Sequence, residues 1–174
     1  MAKNGFRILD SDMHIMEPPD LWQRYTDAPF RHRAPVGLME TVRDLRMIGP
    51  AGESWGRPPA NVESGTGRGP GRKFTEDYVR YQSHHDRGWT PEVQIEAMDA
   101  EGIDVAVLYP TRGLHTLARA DLDAPFAAAL ARAYNDWLYE FCQKDPDRLI
   151  GVGMVSPFDV DDAVSESHRV VQEM

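Results

Sequence analysis

The sequence predicts an α/β fold built on a parallel sheet, and three observations point there. Short apolar runs, each stopped by a breaker residue, alternate with segments of helical periodicity. Those runs are continuously apolar rather than alternating, as in strands covered on both faces. The intervening helices carry legible caps at their ends.

The first strand is read over residues 6–14, from Phe6 to His14, starting in β-favouring residues and finishing in polar ones, as a buried strand emerging at a functional rim would. A long excursion follows, with a Gly/Pro-rich loop insertion from about 38 to 75. Its densest part, Gly49 to Gly71, holds seven glycines and four prolines in 23 positions, which suits an ordered loop or a mobile lid. Thr90-Pro91-Glu92 then supplies an N-cap, a first-turn proline and a first-turn acid, and Gly102 a left-handed terminus, for a helix over 91–101. Ile103 to Tyr109, stopped by Pro110, is the second strand. After Asp123, the residues Phe126, Leu130, Ala133, Trp137 and Phe141 form one apolar stripe running to about Lys144, and Asp145-Pro146-Asp147 breaks the helix. Leu149 to Val155 is the third strand, and a last helix starts near Asp159 with Val160, Val164, Ser167 and Val171 on one face. Nothing repeats, and no second compositional regime marks another domain, so 1–174 is read as one unit.

Composition narrows the function. With 174 residues, 41% of them hydrophobic, the chain is long enough to bury a core. Nineteen Lys and Arg against 28 Asp and Glu give a net charge of −9, which repels polyphosphate and anionic lipid and disfavours nucleic acid and membrane as partners. The single cysteine, Cys142, supports neither an internal disulfide nor a Cys-rich zinc site, and the N-terminus meets charge too early for a secretion signal. A cytoplasmic setting and a small-molecule substrate are expected, with a homo-oligomer as an open alternative to a monomer.

The sharpest motif is Asp10-Ser11-Asp12-Met13-His14, followed by Glu17. Residues two apart on a strand face the same way, so Asp12 and His14, with Asp10 on the same face, offer a carboxylate and an imidazole to one cation. That donor pair suits Zn²⁺, Mn²⁺ or Fe²⁺ with a position left for water. The spacing is equally satisfied by a solvent-facing strand end. Glu17 is read as a partner holding His14 from behind or as a loop ion pair. Arg112 and His115 follow the second strand at the same rim, where α/β sheets bind ligands, and Arg112 offers a bidentate clamp for a carboxylate. His84-His85-Asp86 is set aside because adjacent side chains diverge in an extended segment. Gly65 to Lys73 lacks both phosphate-loop fingerprints and a leading strand, which also weighs against a doubly wound nucleotide-binding fold. Trp137, Phe141 and Cys142 are read as packing.

Taken together, Asp10 to Trp22, Met98-Asp99-Ala100-Glu101-Gly102-Ile103-Asp104 running into Val107 to Thr111, Tyr134-Asn135-Asp136-Trp137 and Asp147-Arg148-Leu149 with Gly151 resemble the amidohydrolase-related metal enzymes, in the branch of aminocarboxymuconate-semialdehyde decarboxylase. The resemblance implies a metal-dependent (β/α)8 TIM barrel, of which about three βα units would lie in this chain, since a full barrel takes roughly 250 residues. It assigns Asp12 and His14 to a divalent metal, zinc first with manganese or iron as alternatives, and puts the remaining ligands and the catalytic acid or base beyond residue 174. The implied activity is hydrolysis or decarboxylation of a small, carboxylated organic substrate. The alternative is a non-catalytic fragment or binding module.

Overall fold

The computed structural model describes residues 5–40, 45–55 and 82–174. In chain order they form β1 (Leu9–Ile15), α1 (Leu21–Tyr25), β2 (Gly37–Glu40), β3 (Leu45–Ile48), β4 (Ser54–Trp55), α2 (Gln82–Asp86), α3 (Pro91–Glu101), β5 (Val105–Pro110), α4 (Gly113–Thr116), α5 (Ala124–Cys142), β6 (Leu149–Gly151) and α6 (Val160–Glu173). The three expected strands form a parallel sheet in the order β1-β5-β6. Helix ends fall where their caps predicted. The Thr90 hydroxyl accepts from the Val93 amide, Gly102 closes α3 at φ 77°, Asp123 caps α5 and Asp159 caps α6.

One face of the sheet is sealed and the other is open. Ala106, Leu108, Leu149 and Ile15 are buried beneath the helices, whereas their strand neighbours Leu9, His14 and Ile150 are exposed. The α5 stripe is buried as expected, and the burial extends to Tyr134 and Leu138 as well. Gly151 lies so close to α5 that an added Cβ would come within 2.8 Å of the Leu138 side chain. At the end of the sheet where the strands begin, Arg148 donates to the Ile103 and Asp104 carbonyls and pairs with Asp99, while Asp104 accepts the Ile8 amide.

Three features depart from the sequence reading. The excursion contains an antiparallel meander, β2-β3-β4, rather than loop alone. Its side chains dock on the helical layer: Trp22 Nε1 donates to Met47 Sδ at 3.0 Å, and Trp55 meets Phe126 edge-on at 6.1 Å. The glycine run 65–73 lies outside the described residues. Secondly, the valine stripe of α6 faces outward, with Val160 77% and Val171 84% exposed, and the helix docks instead through buried Glu166. That carboxylate accepts from Asn135 Nδ2 at 2.7 Å and from Arg169, so polar pairing replaces the expected apolar contact. Thirdly, Gln82–Asp86 is helical, not extended, and His84 stacks on Trp89. No helix among the described residues is long and apolar enough to cross a membrane.

Candidate functional site

Because β1 and β5 run parallel with His14 opposite Tyr109 and Ile15 opposite Pro110, their C-terminal ends coincide and the loops after them share one rim. Asp12 and His14 are both exposed there, separated by half-buried Met13 and followed by fully buried Ile15, so the two candidate ligands face the open side.

Asp10 does not join them. The register shifts by one residue between Asp10 and Met13, which leaves Asp10 opposite buried Ala106 rather than on the side of His14. Strict alternation placed the three acidic and imidazole groups together, and the bulge breaks that alternation. The Asp10 carboxylate turns back on its own strand and accepts the Asp12 amide at 3.0 Å.

The His14 imidazole is oriented by main chain. Its Nδ1 lies 2.8 Å from the Pro110 carbonyl, and a carbonyl only accepts, so Nδ1 carries the proton and the Nε2 lone pair is left for a cation. The Tyr109 ring stands beside it at 6.5 Å. Sequence reasoning saw Pro110 only as a strand breaker. A carbonyl oxygen leaves no mark in a side-chain pattern.

Glu17 is not a direct partner of His14. It is buried, 3% exposed, and its carboxylate accepts three main-chain amides: Thr111 and Gly113 on Oε1, each at 2.9 Å, and Arg112 on Oε2 at 3.0 Å. An anion held by three converging N–H groups at the start of a short helix is well compensated. Its charge, after burial itself, helps push the phenol of nearby Tyr134 well above the usual tyrosine range, which keeps that group neutral. Arg112 Nη1 donates to the Glu17 carbonyl at 3.2 Å, anchoring one arm of the guanidinium to the β1 loop. His115 is exposed on α4, near that rim. Cys142 is buried and its thiol is raised to about 11 by that burial, in keeping with a packing role.

Asp12 and His14 fit the first half of a metal site: a free imidazole nitrogen and a carboxylate on one open face. Among the described residues, no group of three or more His, Cys, Asp and Glu is placed to hold an ion.

Comparison with known proteins bears on the fold and the family. The sequence pattern of the amidohydrolase family matches residues 10–174. Among solved structures, an amidohydrolase from Mycobacterium avium subsp. paratuberculosis K-10 superposes with a TM-score of 0.61 at 24% identity, over 95% of this chain and 46% of that one. A 2,6-dihydroxybenzoate decarboxylase from Rhizobium aligns with a TM-score of 0.48 at 18% identity, covering 96% of this chain and 35% of that one. No curated protein matches. The chain thus spans less than half the length of the structures it resembles, and its three parallel strands with their helices correspond to part of a (β/α)8 barrel. With the pattern running from the first strand to the last helix, the chain belongs to the amidohydrolase family.

Proposed function

We propose that this chain supplies the first two ligands, Asp12 and His14, of the metal centre of a hydrolase or carboxy-lyase acting on a small carboxylated substrate. The observation that carries the reading is the His14 Nδ1 bond to the Pro110 carbonyl, which leaves Nε2 as a ligand on the same open face as Asp12. A divalent ion, zinc first and manganese or iron as alternatives, would supply Lewis-acid polarisation of a substrate oxygen or a bound water with its pKa lowered toward about 7. Arg112, held by the β1 loop, and His115 are groups at the rim that could meet a substrate carboxylate. A cytoplasmic setting belongs to the same reading, supported by a single, buried cysteine. So does the absence of nucleic acid and membrane partners, supported by the net charge of −9.

Calorimetric titration of zinc into the full 174-residue chain tests the assignment. Asp12→Ala and His14→Ala should each weaken binding at least tenfold while the melting temperature is retained, because both side chains are exposed and leave no cavity. Unchanged affinity in both variants rejects it. A non-catalytic binding module is the second reading, favoured by the lack of a third ligand among the described residues. Turnover of a carboxylated substrate by the chain with added zinc would overturn that alternative.

A further inference from the structure

We propose that Glu17 is the positioning residue of His14, acting through the single peptide plane that joins Pro110 to Thr111. The inference rests on His14 serving as a metal ligand, the reading given above. The Pro110 carbonyl and the Thr111 amide belong to one planar trans peptide, so they point in opposite directions from the same rigid unit. His14 Nδ1 donates to one side of that plane at 2.8 Å, and Glu17 Oε1 accepts from the other at 2.9 Å. Rotating the plane breaks both bonds at once. Glu17 prevents that rotation from a buried position, and the Arg112 and Gly113 amides bind the same carboxylate and fix it in turn.

The chemistry follows from the charge. A carboxylate accepting the Thr111 N–H draws that proton toward itself and leaves the Pro110 oxygen more negative, hence a stronger acceptor for His14 Nδ1–H. A stronger bond at Nδ1 raises the electron density at Nε2. In many metal sites a carboxylate does this by touching the histidine directly. Here the same push is relayed across one peptide, over a sequence separation of 96 residues between His14 and Pro110.

Two variants separate this role from simple loop clamping. Glu17→Gln keeps size and shape but replaces the anion by a weaker neutral acceptor. Gly113→Ala leaves Glu17 in place but sets a Cβ 3.0 Å from its Oε1, pressing it off the Thr111 amide. The readout is the His14 tautomer in the metal-free full chain, taken from long-range ¹H–¹⁵N correlation at a pH where histidine is neutral, with His14→Ala for assignment and Asn135→Ala as a destabilised control remote in contacts. The wild type should show the Nδ1–H form. Both test variants should lower its ratio to the Nε2–H form by about fivefold, as for the loss of one ordinary hydrogen bond, and zinc affinity by about tenfold. The control should change neither. If Glu17→Gln does not fold, Gly113→Ala decides alone. A tautomer ratio within twofold of wild type in the folded variants would overturn the proposal and leave Glu17 a clamp of the loop. Zinc affinity unaffected by His14→Ala would instead remove the metal reading, while the tautomer ratio still decides whether Glu17 positions His14.

Discussion

Asn135 shows how a single buried amide can join two helices and the loop between β6 and α6. Its Nδ2 donates to the Met154 carbonyl at 2.8 Å and to Glu166 Oε1 at 2.7 Å, and its Oδ1 accepts the Met154 amide at 2.7 Å. Truncation orphans the Met154 groups and takes a donor from a buried carboxylate that also holds Arg169. Asn135→Ala should therefore cost about 2–3 kcal/mol in urea unfolding, the sum of a lost bond and unpaired buried groups. A cost below about 0.5 kcal/mol would show that water replaces the amide without penalty. The sequence displays Tyr134-Asn135-Asp136-Trp137 as a motif, yet it does not disclose the amide's partners, because Met154 and Glu166 lie 19 and 31 residues away.

At the scale of elements, α1 is fastened to α5 by the Tyr25 hydroxyl, which donates to Glu140 Oε2. Burial first, then that bond and the Glu140 charge, raise the phenol from its ordinary 10.0 to about 12. A raised acid binds its proton more tightly in the folded state, so its stabilising contribution is whole below pH 10 and is lost as pH rises through about 12. The melting-temperature advantage of wild type over Tyr25→Phe should accordingly shrink between about pH 9 and pH 12, and a constant gap would contradict the coupling. Between β6 and α5 the contact is steric. Gly151→Ala places a methyl 2.8 Å from buried Leu138 and should destabilise by about 1–3 kcal/mol, measured in the same urea assay, through overpacking. What was legible at this scale divides by range. The ends of α3, α5 and α6 could be read because a cap and the amide it binds lie within a turn of each other. The meander β2-β3-β4 could not, since glycines and prolines mask a register that only strand partners establish. The outward turn of the α6 valines was equally hidden, because a stripe states which residues align and not which side finds a neighbour.

For the whole molecule, the order β1-β5-β6 leaves one edge of each outer strand without a partner strand among the described residues, beside an open face that exposes Leu9 and Ile150. Such edges and apolar surface recruit further strands. The 174-residue chain alone should be marginally stable and self-associate with rising concentration in sedimentation velocity. Ile150→Lys, at a position 45% exposed, should reduce the association. A monodisperse wild-type monomer with a sharp, high-temperature melt would refute the expectation. The candidate site divides in the same way as the fold. Asp12 and His14 were legible as a local pair, but the fate of Asp10 was not, because its partner strand lies some 96 residues along the chain.

The extra residue in β1 also has a meaning for chain editing. Leu9 and His14 stand on one side of the sheet although five positions apart, which pure alternation forbids. Deleting Ser11 would bring the two halves of the strand back into a common phase. Fully buried Ile15, seated opposite Pro110, pins the downstream half. The upstream half keeps its pairing as well, with Leu9 still opposite Val105 and Asp10 still opposite Ala106, so every remaining side chain stays on its present face. The bulge thus gives β1 one residue of slack, which can be lost without turning Asp12 or His14 away from the open face.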